Sequence, residues 1–155
     1  MDTLTAPVAA RDVVPHAGRM VLIDRVIGHD AQGTVCEVAL TPESMFLEGG
    51  EVPAWVGLEY MAQSVGAHDG MVARARGVPP AVGFLLGSRR VEMRTRGFKP
   101  GQTLHVSVRH LWGEGELFVF DCSVLDAATR RILVTAQLNL YRPKEIGRFL
   151  EEKGI

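Results

Sequence analysis

At 155 residues, of which 46% are hydrophobic, the chain is long enough for one domain with a real core, and no composition break divides it, so residues 1–155 are expected to form a single domain. The 17 Lys plus Arg against 18 Asp plus Glu give a net charge of -1, which excludes a general nucleic-acid binder, since such a protein needs a basic surface to neutralise phosphates. No apolar run approaches the about 20 residues of a membrane span, the N-terminus lacks a basic region followed by an apolar core, and Cys36 and Cys122 stand singly without disulfide or metal spacing, so a cytoplasmic location with reduced thiols and no metal is expected.

Residues 1–12 show no hydrophobic period and are expected to be a loose arm. VPHAGRM, residues 14–20, is a Pro/Gly-punctuated loop that carries His16 and leads into VLIDRVIG, a first strand with Asp24 and Arg25. GTVCEVAL, residues 33–40, alternates as a second strand, and TPESMFLEGGE follows as an irregular loop.

Residues 52–77 read as the central helix. Pro53 suits a first turn because its missing N–H would be an orphan there, and Gly77 before Val78-Pro79-Pro80 is a stop signal. From Pro53 to Val65 the wheel is apolar or small on every side except for Glu59, Gln63 and a few hydroxyls, and a helix apolar all round is buried all round. A carboxyl on such a helix is expected to be pushed up in pKa, which makes Glu59 a candidate general acid with Gln63 one turn on to orient it; a core Glu satisfied by a backbone or Arg partner is the alternative. Gly57 and Gly66, unfavourable inside a helix, mark places where something packs very close.

Four strand-like runs follow, AVGFLLGSRRVEMR, QTLHVSVRHLW, ELFVFDCSVLD and RILVTAQLNLY, with the short spacers FKPG, GEG and AATR, and they predict an antiparallel meander. About six strands wrapped around one long helix is an α+β fold. The tail, residues 143–155, is expected to add a short helix with Ile146, Phe149 and Leu150 on one side. His105 and His110 fall on opposite faces of their strand and are expected at the surface or an edge, whereas His68 is about 180° around the helix from Glu59.

Four segments resemble the hotdog-fold 3-hydroxyacyl-acyl-carrier-protein dehydratase superfamily: VPHAGRMVLIDRV, VPAWVGLEYMAQ, GFLLGSRRVEMR and FKPGQTL. The match covers residues 14 to about 141, and PAWVGLEYMAQ and VGFLLGS look closest to the predicted dehydratases of aryl-polyene gene clusters. The resemblance implies a lyase that forms a trans-2-enoyl thioester in fatty-acid-like or aryl-polyene biosynthesis, without cofactor, with acyl carrier protein and a second hotdog chain, identical or related, as partners. One departure stands out, because Met45 occupies the position of the family's catalytic His, so His16 becomes the candidate base opposite Glu59. Substrate contacts are expected at Ala54, Val56, Gly57, Gln63, Gly83 and Phe84, with N–H groups near Ala54 to Gly57 stabilising the thioester oxygen. Arg90, Arg94 and Arg96 on one strand face, with Lys99 after them, form a candidate carrier-docking strip; a merely solvated strand face is its alternative. A thioesterase and a non-catalytic subunit beside an active dehydratase stand as rival readings. The expected unit is a dimer with sites built from both chains, in which a lone protomer leaves Trp55, Val56 or Tyr60 exposed.

Overall fold

The alternating runs pair into one antiparallel sheet in the computed structural model of the chain, which describes residues 3–80, 82–144 and 151–154. Its elements are β1 (Thr3–Ala9), β2 (Arg25–His29), β3 (Gly33–Ala39), β4 (Val52–Pro53), α1 (Val56–Arg76), β5 (Phe84–Met93), β6 (Gly97–Phe98), β7 (Thr103–Glu114), β8 (Leu117–Asp126) and β9 (Ile132–Tyr141). Seven strands join in the order β1-β2-β3-β7-β8-β9-β5, and β4 and β6 form a separate two-stranded ribbon. The period of two puts Cys36, Val38, Leu104, Val106, Val108, Phe120, Cys122, Val124, Val134, Ala136 and Leu138 on the buried face, where they pack around Val56, Met61 and Val65 of α1. This is the α+β hotdog layout, with seven strands rather than about six.

Four expectations change. The N-terminal segment is not a loose arm, because β1 pairs antiparallel with β2 and lays Leu4 and Val8 against the core. Pro7 is tolerated there because β1 is an edge strand interrupted by a register shift. The post-helix strands are not a simple meander either: β7, β8 and β9 are, but β5 pairs with β9 at the far edge. FKPG is accordingly no hairpin turn, since buried Phe98 belongs to β6 and carries the chain beneath the start of α1. Pro53 sits in β4 opposite Gly97, so α1 begins three residues later, where Gly57 N–H donates to the Ala54 carbonyl. The tail helix expected around Ile146, Phe149 and Leu150 lies outside the described residues.

Nor is α1 buried all round. Trp55, Leu58, Glu59, Ala62, Gly66 and Asp69 lie on one side of the helix, and this stripe stays partly open while Val56 and Tyr60 are buried. Of the three residues expected to be exposed in a lone protomer only Trp55 is, at 56%, with Phe46 edge-on to its ring. The β5 edge is open as well and carries exposed Leu85, Leu86, Val91 and Met93.

Past the middle of α1 the sheet closes over a histidine cluster that periodicity did not reveal. Thr34 Oγ1 lies 2.8 Å from His29 Nδ1 and 2.9 Å from His68 Nδ1, and since its single O–H serves only one of them, the other ring donates to it. His68 is buried against Phe120, which His110 also meets edge-on, so His110 is packed rather than an edge residue. Burial pushes the pKa of His68 down to about 4, helped by the neighbouring His29. The imidazole is therefore neutral in the fold, and its contribution is complete above pH 6.5 and lost as pH falls from 6.5 toward 4. Unfolding free energies from urea titrations should drop across that window with a slope of up to about 1.4 kcal/mol per pH unit. His68→Phe should flatten the profile, and an unchanged profile would remove His68 as the cause.

Candidate active site

The segment after β1 lies along α1, and small residues on the helix let it do so. A Cβ at Gly70 would come 1.9 Å from the Val13 carbonyl oxygen, and one at Gly66 would come 3.4 Å from Pro15 Cδ. The close packing expected at Gly66 is thus with the chain's own loop, and at Gly57 it is with the Phe98 ring, 3.3 Å from a Cβ there. Farther along the same segment, fully buried Gln63 accepts from Leu22 N–H at 2.8 Å and donates to the Met20 carbonyl at 2.8 Å and to Glu59 Oε1 at 3.0 Å. His16 is thereby delivered to Glu59, with Nε2 and Oε1 3.8 Å apart. The structure brings together His16, Glu59 and Gln63, and the pair belongs to one chain rather than two.

The environment of Glu59 differs from the expected buried acid. Its side chain is 42% exposed, because it stands on the open stripe of α1 rather than inside the core. His16 is 33% exposed as a side chain, yet its Nδ1 is sealed from solvent with no hydrogen-bond partner among the described residues. Elsewhere burial pushes the Tyr60 hydroxyl and the Cys36 thiol each up to about 12, and Cys122 up as well, which leaves both free cysteines inert.

The expected substrate contacts divide. Val56 is buried and Gly57 is covered by Phe98, whereas Ala54, though buried, lines a cavity of about 350 Å³ together with Trp55 and Arg96. The N–H groups of Ala54 and Gly57 are spent on the Arg96 and Ala54 carbonyls, whereas those of Trp55 and Val56 make no hydrogen bond among the described residues. Gln63 positions Glu59 from beneath rather than touching a substrate. Gly83 and Phe84 lie at the start of β5 beside Tyr141, on the open edge of the sheet. Met45, in the position of the family's His, contacts Arg19 and lines a cavity of about 280 Å³ with Asp24 and Tyr60, which neither His16 nor Glu59 lines.

The basic strip is also broken. Register slips between Arg89 and Glu92, with Arg90 at φ +53°, so the bulge takes Arg90 out of the alternation that was to align it with Arg94 and Arg96. Arg94 pairs with Glu92 at 3.1 Å and Arg96 lies 4.0 Å from Glu51, while Arg94 and Lys99 line, together with Arg131, a cavity of about 410 Å³. No group of three or more His, Cys, Asp or Glu among the described residues is arranged to hold a metal, and no helix there is long and apolar enough to cross a membrane.

Comparison with known proteins adds three findings. The profile of a family described as ApeP-like, ApeP dehydratase, matches residues 8–151. The dehydratase heterocomplex ApeI:P from Xenorhabdus doucetiae contains a chain that superposes with a TM-score of 0.81 at 28% identity, over 90% of this chain and 93% of that one. The PaaI protein of the E. coli phenylacetic acid degradation operon (TM-score 0.58, 13% identity, 76% and 81% covered) is similar in fold alone. So is a hypothetical thioesterase with coenzyme A from Streptococcus pneumoniae (TM-score 0.61, 13% identity, 76% and 84% covered). No curated protein matches the sequence.

Proposed function

This chain belongs to the ApeP-like dehydratase family, and we propose that it eliminates water from a 3-hydroxyacyl group carried on acyl carrier protein to give a trans-2-enoyl thioester, in fatty-acid-like or aryl-polyene biosynthesis. The observation that carries the assignment to residues is the His16–Glu59 pair, 3.8 Å apart and held by Gln63. Dehydration requires removal of the proton next to the thioester and protonation of the departing hydroxyl, and a carboxyl beside an imidazole provides the proton-transfer and hydrogen-bonding groups for this. The unpaired N–H group of exposed Trp55 at the start of α1 suits the thioester oxygen as it gains charge. Met45 favours the non-catalytic reading, and the retained Glu59 with Gln63 bonded to it favours the enzyme. The thioesterase reading gains only a likeness of fold, from a hypothetical thioesterase at 13% identity. Purified protein given a 3-hydroxyacyl carrier substrate should form the enoyl product; its absence, in the presence of the partner chain, would overturn the reading.

Pairing with a related hotdog chain fits the open β5 edge, the open stripe of α1 and exposed Trp55, and the Xenorhabdus structure is itself a heterocomplex of dehydratases. The buried thiols suit a reducing, cytoplasmic setting. For the carrier we propose the cluster Arg94, Lys99 and Arg131 rather than a straight strip, with Arg96 lining the cavity next along the chain beside Glu51. Arg94→Glu combined with Arg96→Glu should weaken carrier binding by about tenfold at low salt and by less at high salt, because rim charges are screened. Titrations at two ionic strengths check this, and unchanged affinity would leave these side chains as solvated surface.

A further inference from the structure

The dehydratase reading leaves open which member of the pair handles the substrate's proton, and the hydrogen bonds beneath the site decide it. Gln63 is not free to flip: Leu22 presents an N–H to its oxygen and Met20 a carbonyl to its nitrogen. Its amide nitrogen therefore faces Glu59, and Oε1 of Glu59 is held as an acceptor. That same Oε1 is the atom nearest His16 Nε2. An imidazole nitrogen facing a committed acceptor is favoured with its hydrogen on, and the opposite nitrogen gives the same answer. Nδ1 is sealed away from solvent with no partner, so a hydrogen there would be a buried donor with no acceptor, while the Nε2 hydrogen meets a carboxylate oxygen.

From this geometry we infer that His16 rests as the Nε2–H tautomer and serves as a hydrogen-bond donor, and that Glu59 alone is the acid–base group of the site, with Gln63 as its positioning residue. The inference rests on the proposed dehydration and reverses the roles expected from the sequence. The 3.8 Å between Nε2 and Oε1 is too long for a direct hydrogen bond and suits a substrate hydroxyl bridging the two. The other carboxylate oxygen, Oε2, has no hydrogen-bond partner among the described residues, and the Glu59 side chain is 42% exposed. Oε2 takes the proton from the carbon next to the thioester, and the C–H electron pair becomes the new C=C bond as the C–O bond breaks. The same proton then passes from Oε2 to the departing hydroxyl, which leaves as water and restores the carboxylate. His16 Nε2–H holds that hydroxyl beside the carboxyl throughout and is never required to give up its proton.

The tautomer is read directly from long-range proton–nitrogen correlations of the ring nitrogens in nitrogen-15-labelled native protein, with His16 assigned by the signal lost in His16→Gln. A pyrrole-type Nε2 and a pyridine-type Nδ1 are expected, and the opposite pattern would overturn the proposal. Turnover supplies the second arm, because a Gln side chain can donate a hydrogen bond but cannot act as a base. His16→Gln should stay within about tenfold of the native rate while His16→Ala falls by about 10²-fold or more, and equal losses in the two would restore His16 as the base. If native protein with its partner forms no enoyl product, the dehydratase reading fails, while the ring-nitrogen spectrum still decides the tautomer.

Discussion

Glu59→Gln is expected to lower turnover by about 10²–10⁴-fold while leaving stability within about 0.5 kcal/mol of native. The fold is spared because the side chain is 42% exposed and the amide oxygen of the new Gln still accepts from Gln63. Chemistry is not spared, because an amide can neither take the proton next to the thioester nor return it. Steady-state rates beside urea midpoints measure the two effects, and a variant that keeps native turnover would remove Glu59 from the mechanism. Placement of the pair within one chain extends the test. Sequence reasoning favoured sites shared between chains, in which His16→Ala and Glu59→Gln repair each other in a mixed dimer. With Nε2 and Oε1 of one protomer 3.8 Å apart, every site in the mixture carries one lesion, and mixing and refolding should restore nothing.

What was legible in the sequence was whatever depends on short-range pattern. Strand alternation located β3, β7, β8 and β9, Gly77 ended α1 with φ +67°, and the Glu59–Gln63 spacing of one turn placed both on one side. What was not legible depends on long-range pairing. Nothing local says that β5 joins β9 rather than β7, although Phe98 gave a signal, since an aromatic inside a supposed solvent turn asks for a core to enter. The exposure of Glu59 escaped for a related reason: an apolar wheel states that a surface will be covered without stating whether the cover is the chain's own sheet or another chain. The bulge at Arg90 and the Thr34 bridge between His29 and His68 leave no periodic trace at all.

Gly70→Ala is expected to be the most damaging added methyl among the described glycines, at the end of the four-residue repeat Ala62, Gly66 and Gly70. The new Cβ would lie 1.9 Å from the Val13 carbonyl oxygen, 2.7 Å from its carbon and 2.9 Å from Val13 Cβ, so backbone rather than a flexible side-chain tip must move. Val13 cannot retreat cheaply, being buried, bonded through its N–H to Ala10 at 3.0 Å and continuous with the core residues Ala10 and Val14. A loss of about 3 kcal/mol follows, at the upper end for overpacking. The functional consequence reaches farther than the stability. Val13, Pro15 and His16 are consecutive supports of one segment, so lifting it off α1 at Gly70 also draws His16 away from Glu59. Turnover measured well below the melting transition should therefore fall by about tenfold or more even where the variant is fully folded, since a shift of about 1 Å in a reacting geometry costs that much. Thermal melts and rates taken on the same samples separate the two effects. A variant as stable as native would show that the segment does not rest on Gly70, and a destabilised variant with native turnover would show that His16 is held in place by other contacts.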